Sequence, residues 1–198
     1  MATTSPLINP FNNIKASILL HPSNPKELSL TPLHVIVECS SSRRRDSLRG
    51  ILYSIFVQGG AILFESRSII TIFVRIEAGR GDNISGGGSD LMMIGEEARV
   101  INAASSALVD AGIPLRFIPI AANVKCNAND TNAALVVFSM QDLTRGKDED
   151  DDNVTGHKCQ PIFFDSKHHL SLTSIQIKAL IDSGREASID FVQQSYRS

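Results

Sequence analysis

Ala98-Arg99-Val100-Ile101-Asn102-Ala103-Ala104-Ser105-Ser106-Ala107-Leu108-Val109-Asp110-Ala111-Gly112-Ile113-Pro114-Leu115-Arg116 decides how this chain reads. The residues predict a helix over 98–112, stopped by a glycine and followed by a proline-led entry into a strand. Gly112 suits the left-handed position just past a helix, and Pro114 cannot continue one. Small side chains at Ala103, Ala104, Ser105, Ser106 and Ala107 let such a helix lie very close to a neighbouring backbone. A surface helix has no need of that, so this one is expected at the centre of a packed layer.

On the N-terminal side, residues 1–13 are rich in Pro, Asn, Ser and Thr and read as an irregular lead-in. Ile14 to Leu20 reads as a strand, closed by the turn-like His21-Pro22-Ser23-Asn24-Pro25. Leu33 to Val37 is a second strand, with Pro32 tolerated at its start. Between Asp46 and Val57, the apolar Leu48, Ile51, Leu52, Ile55 and Phe56 recur at the spacing of one helical face, with Asp46 as the expected cap. Ser68 to Ile76 is β-branched and nearly continuous, as in a strand buried on both faces. Residues 79–90 form a Gly-rich loop, in which Gly86-Gly87-Gly88-Ser89 lacks both the lysine of a phosphate-binding P-loop and the spacing of a dinucleotide fingerprint.

On the C-terminal side, strands are expected over 115–124, 133–140 and 160–164, with an acidic loop at 147–153. Ser171 is the expected cap of a last helix carrying Leu172, Ile175, Leu180, Ile181, Ile189, Phe191 and Val192, with a break near Gly184. The order β-β-α-β-α-β-β-β-α places helices between strands but also sets several strands in succession. That pattern implies an α/β chain of the α+β type with a mixed sheet.

At 198 residues the chain is expected to be a single domain, 1–198, with a full hydrophobic core. A net charge of -2 exerts no global pull on nucleic acid or anionic membranes, so any such contact must come from a local patch. No stretch of sequence suits a membrane span, and the N-terminus lacks the pattern of a secretory signal. Cys39, Cys126 and Cys159 are widely spaced and odd in number, which suits thiols in a reducing compartment. The glycosylation patterns at Asn83, Asn129 and Asn153 are then inert. An intracellular protein is expected.

The segment Ile101-Asn102-Ala103-Ala104 with Ala107 to Arg116 resembles the corresponding helix of RNase PH-like proteins, and most of all the ring subunits of the eukaryotic RNA exosome. Ser17-Ile18-Leu19-Leu20-His21-Pro22 resembles the family's strand ending in a Gly-Pro turn. Leu33 to Val37, the helix from Asp46, the strand Ile69 to Ile76 and the helix opened by Leu170-Ser171-Leu172 follow in the same order. The resemblance covers roughly residues 14–196. It implies an RNase PH-like fold whose N-terminal strands are shortened here, with the Gly-rich 79–90 as an insertion. It also implies RNA, other RNase PH-like ring subunits and S1/KH cap subunits as partners, and a place in the nucleus, with the nucleolus, and the cytoplasm.

Phosphorolytic members of that family attack RNA with inorganic phosphate, held by arginine and backbone donors. Their Gly-Thr-Arg, counted back from Ala107-Leu108-Val109-Asp110, falls on Gly95-Glu96-Glu97, and Arg99 is the only nearby arginine. Glutamate there repels phosphate by several kcal/mol once partly desolvated. Their paired aspartates after the next strand, which bind a divalent metal or move protons, are reduced to Asp130 alone in Lys125-Cys126-Asn127-Ala128-Asn129-Asp130-Thr131. The run Asp148-Glu149-Asp150-Asp151-Asp152 lies beyond a further strand and reads as a solvated loop.

The resemblance thus implies a non-catalytic ring subunit, with no catalytic residues, no cofactor and no metal. Asp165 with His168-His169 has no third ligand spaced to complete a metal site. Ser105 and Ser106 lack a histidine partner in any recognisable motif and read as packing residues. Arg43-Arg44-Arg45 with Arg49 one turn into the helix is the only basic cluster, and the resemblance places its loop toward the ring's pore. Those four arginines are the candidate RNA contacts, of the sequence-independent, phosphate-binding kind. A solvated loop, or a salt-bridge role at an interface, is at least an equal alternative for them. Two other functions stay open: a phosphate- or metal-dependent ribonuclease, and a stand-alone RNA-binding homodimer.

Overall fold

The computed structural model describes residues 14–22, 33–39, 42–63, 68–76, 89–125, 133–145, 160–166 and 172–195. The lead-in 1–13, residues 79–88 of the Gly-rich loop, the acidic loop, Cys126, Cys159, His168 and His169 lie outside them. The chain divides into two units, Met1–Gly87 with Arg99–Arg116, and Gly88–Ala98 with Phe117–Ser198.

The first unit holds a three-stranded sheet in the order β1 (Ile14–Pro22), β3 (Ser68–Ile76), β2 (Leu33–Glu38). β1 runs antiparallel to β3 and β2 parallel to it, so this sheet is mixed, as the sequence implied. β3 is central because its Ile70, Thr71, Ile72 and Val74 are all buried. A strand covered on both faces reads as the near-continuous apolar run seen here. β2 alternates instead: Leu33, Val35 and Val37 are buried while His34, Ile36 and Glu38 are exposed.

The return from β2 to β3 is made by α1 (Ser42–Tyr53), which buries Leu48, Ile51 and Leu52. It continues into a π-helical turn, Ser54–Gln58, that buries Ile55 and Phe56. The wider π turn keeps those two residues on the buried side, and the amide of Gly59 donates to the carbonyl of Ser54 at 2.7 Å. An isolated antiparallel bridge joins Ile62 to Leu115. Around it Leu63 donates to the Pro114 carbonyl at 3.0 Å and Arg116 to the Ala61 carbonyl at 2.8 Å. The residues after Pro114 are thereby held, and the strand expected from 115 begins only at Pro119.

α2 spans Ser89–Asp110 and so starts nine residues before the helix read from the sequence, absorbing Ser89 and Asp90 of the expected loop. The two units divide within it, between Ala98 and Arg99. Glu97, Ala98 and every residue from Val100 to Ser105 are buried, a helix enclosed almost all round. Of the small side chains expected to pack closely, Ala103, Ala104 and Ser105 are buried, whereas Ala107 is half-buried and Ser106 is exposed. The helix ends in a Schellman motif. Gly112 adopts φ +68, its amide donates to Val109 at 2.9 Å, and the amide of Ile113 donates to Leu108 at 3.0 Å.

The second unit holds an antiparallel sheet in the order β4 (Pro119–Lys125), β5 (Ala133–Ser139), β6 (Phe163–Ser166). A short helix, α3 (Met140–Arg145), follows β5 directly, in a stretch too short for a helical period to show. α4 (Ser174–Ser195) lies on β4 and β5, with Leu180 and Val192 buried against Ile120, Val136 and Phe138. Its cap is Thr173; the expected cap, Ser171, lies outside the described residues. The Thr173 hydroxyl accepts from the amide of Gln176 at 3.3 Å, and the Gln176 side chain accepts from the Thr173 amide at 2.9 Å, a reciprocal capping box. α4 runs unbroken through Gly184, which is buried against Val136. The expected break is absent because the glycine serves close packing there rather than a turn.

Candidate nucleic-acid interface

α1 carries all four candidate arginines. The sequence predicts a start at Asp46, with Arg43, Arg44 and Arg45 in a loop, but the helix starts at Ser42 and takes them into its first turn. Arginine is a good helix former, and it extends a helix without leaving any apolar period to read. No acidic residue occupies that turn. The positive end of the helix dipole thus meets three further cations, a disfavoured arrangement that an approaching anion relieves.

The helix does not gather the four side chains on one face. At 3.6 residues per turn, Arg45 and Arg49 fall on the same side, while Arg43 lies nearly opposite Arg45. Arg44 turns toward the packed side: it is half-buried, with one terminal guanidinium nitrogen shielded from solvent. Arg43, Arg45 and Arg49 are exposed. Arg49 approaches Asp46 at 3.9 Å, with more than half of each side chain in water. Such a contact contributes about 0–1 kcal/mol and leaves the guanidinium available to a phosphate. Beside this face an open groove of about 540 Å³ runs between α1 and β2, with Arg49 and Tyr53 on one side and His34 on the other. Sequence reading missed His34 and Tyr53, because each alone looks like any exposed or half-exposed residue.

The segment Gly95-Glu96-Glu97 lies inside α2 and not ahead of it, which corrects its expected position. Only the first four amides of a helix lack an internal partner, so those of 95–97 are committed to the helix itself. A backbone cradle for phosphate cannot form at that point. Glu97 is 4% exposed, Glu96 is half-buried and Arg99 is exposed. Ser105 is buried, as befits packing, while Ser106 faces solvent. Asp165 is half-buried in β6, opposite Leu135. Among the described residues there is no group of three His, Cys, Asp or Glu able to hold a metal, and Asp130 lies outside them. No helix among those residues is long and apolar enough to cross a membrane.

No family model matches the chain, and no curated protein matches it. Solved structures do. Rice (Oryza sativa) Rrp46 superposes with a TM-score of 0.60 at 14% identity, over 100% of this chain and 94% of that one. The fold is RNase PH-like. A chain of an archaeal exosome core superposes with a TM-score of 0.51 at 10% identity, over 93% of this chain and 76% of that one. At such low identity the fold alone is what is shared.

Proposed function

We propose that this chain is a non-catalytic subunit of an exosome core ring, supporting 3′-to-5′ RNA processing and degradation. It pairs with other RNase PH-like subunits, receives S1/KH cap subunits, and helps line the path of RNA to a catalytic partner. Supporting this is one observation above the rest: an RNase PH-like fold spans the whole chain and nearly all of rice Rrp46. The buried Glu97 beside Glu96, with their amides used inside α2, favours a subunit without phosphorolysis, since polyanionic phosphate finds neither arginine nor free backbone donors there.

RNA contact falls to Arg43, Arg45 and Arg49, the exposed members of the cluster, by charge and without sequence preference. Arg44 leaves the candidate set because its side chain is drawn toward the helix's packed side. The reading requires no cofactor and no metal, and it places the protein in the nucleus, with the nucleolus, and the cytoplasm. Affinity purification of the tagged chain with mass spectrometry tests it, and other ring and cap subunits are the expected company. Recovery of none of them defeats the reading. Phosphate-dependent trimming of RNA by the purified chain, lost in Arg99→Ala, defeats its non-catalytic part.

A further inference from the structure

In Arg43-Arg44-Arg45-Asp46-Ser47-Leu48, two arginines stand three and two residues ahead of a serine, and an apolar residue follows it. That spacing suits an arginine-directed serine/threonine kinase, whose acidic subsites pair with both guanidinium groups of an extended substrate. No other serine or threonine of the chain has arginine at both positions. Ser188 has Arg185 three residues ahead of it, but it is 0% exposed inside α4. Ser47 is exposed.

Ser47 also closes the least anchored stretch of α1. The buried residues of this helix are Leu48, Ile51 and Leu52, so its anchoring begins only after Ser47. Extending 42–47 into a kinase cleft releases the half-buried Arg44 and uncovers no apolar core residue. Local opening of this kind draws on the weakest parts of a fold. We propose that Ser47 is a phosphorylation site for an arginine-directed kinase, and that its phosphate switches off the RNA-contact face of α1. In the transfer, the Ser47 Oγ attacks the γ-phosphorus of a nucleoside triphosphate held by the kinase. The Oγ–P bond forms as the bond from that phosphorus to the β–γ bridging oxygen breaks. The hydroxyl proton passes to a carboxylate of the kinase, and the nucleoside diphosphate leaves.

The helix decides what the new phosphate meets. Arg43, exposed and four residues before Ser47, lies one turn away on the same side, with the two Cβ atoms about 5–6 Å apart. A phosphoserine carries about −1.5 to −2 charges near neutral pH and three strong acceptor oxygens. It pairs with Arg43 across that turn and withdraws this arginine from RNA. Arg43, Arg44, Arg45 and Arg49, set against Asp46, give the cluster a charge of +3. The phosphate lowers that to about +1, and RNA phosphates then meet a like charge beside Arg43. The site stands on the motif and its exposure, whereas the switch rests on the reading of α1 as an RNA contact.

Incubating the full chain with ATP, Mg²⁺ and the catalytic subunit of cyclic-AMP-dependent protein kinase, an arginine-directed enzyme, tests the site. Phosphate is expected on Ser47 by mass spectrometry, absent in Ser47→Ala and reduced about tenfold or more in Arg45→Ala. A variant that merely loosens the helix gains labelling, so a loss in Arg45→Ala reports recognition. Ser47 left unlabelled, or labelling indifferent to Arg45→Ala, overturns the site. Phosphorus NMR over a pH series reads the pairing. A neighbouring arginine favours the doubly ionised phosphate, so its second ionisation is expected at lower pH in the wild-type chain than in Arg43→Ala. Equal titration in the two overturns the pairing. Fluorescence anisotropy with single-stranded RNA reads the switch: affinity about tenfold or more weaker after phosphorylation, with a shallower dependence on salt. RNA binding that needs Arg45 and Arg49 yet is unmoved by the phosphate overturns the switch. RNA binding indifferent to both arginines in the unmodified chain defeats the RNA reading, and with it the switch but not the site.

Discussion

Gly184 and Gly50 are both helical glycines, and the same substitution should act on them with opposite sign. A Cβ at Gly184 lies 3.0 Å from Cβ and 3.1 Å from Cγ2 of Val136, on the strand that α4 covers. A Cβ at Gly50 meets nothing within 4 Å. Replacing a mid-helix glycine by alanine gains about 1 kcal/mol from backbone entropy at either site. At Gly50 that gain stands alone, so Gly50→Ala stabilises by about 1 kcal/mol. At Gly184 it is set against overpacking, which costs about 1–3 kcal/mol because both Val136 atoms belong to a side chain stiff at χ1. The net expectation is a destabilisation of about 1 kcal/mol.

Chemical denaturation followed by circular dichroism and by fluorescence checks both values. The double variant Val136→Ala/Gly184→Ala isolates the cause. Val136→Ala alone removes buried methyl groups and destabilises, but the methyl introduced by Gly184→Ala fills part of that space. A favourable coupling of about 1–2 kcal/mol is therefore expected between the two changes. Gly184→Ala as stable as Gly50→Ala, with no coupling to Val136, would falsify the account of α4 packing.

Three further outcomes are specific. Thr173→Ala removes the hydroxyl of the α4 capping box and is expected to lower stability by about 1 kcal/mol in the same denaturation assay, with Gln176→Ala losing less. Gly112→Ala forces an L side chain into φ +68 at the end of α2 and costs about 1–2 kcal/mol, the reverse of Gly50→Ala. In the assembled complex, Arg45→Ala and Arg49→Ala each reduce the slope of log affinity for single-stranded RNA against log salt by about 0.7 for every phosphate that the arginine neutralises, measured by fluorescence anisotropy. Arg44→Ala leaves that slope unchanged; an equal reduction from Arg44 refutes the division of the cluster by helix face.

The local features legible in the sequence are those whose cause is local. β1 and β2 start where the sequence places them, because an apolar or alternating run bounded by prolines has few other uses. Gly112 is readable because a left-handed residue after a helix excludes most others. The misplaced boundaries share a different cause. α1 begins four residues early on arginines that carry no apolar period, and α3 is too short to show one. The residues after Pro114 have strand composition, yet the backbone there bonds at Pro114 to Leu63 and at Arg116 to Ala61, a contact between distant parts of the chain.

The candidate interface divides in the same way. Its charges are legible as a run of arginines, but their sorting depends on a helix whose start the sequence does not reveal. Four residues that look like one patch become Arg45 with Arg49 on one face, Arg43 across the helix and Arg44 turned inward. Glu96 and Glu97 are visible as acidic residues near the expected phosphate site. Only their place inside α2 removes the backbone donors from that site.

What the sequence determined by itself was the succession of strands and helices other than α3, since spacing of apolar residues, glycine stops and small-residue runs act within a few residues of the chain. Tertiary structure alone decided which strand lies in the middle, and whether a glycine turns the chain or seats a neighbour. Those outcomes depend on atoms brought together from distant positions. Gly112 and Gly184 look alike in the sequence; one ends a helix by its φ, and the other lets α4 pack so closely on Val136 that a Cβ there would lie only 3.0 Å away.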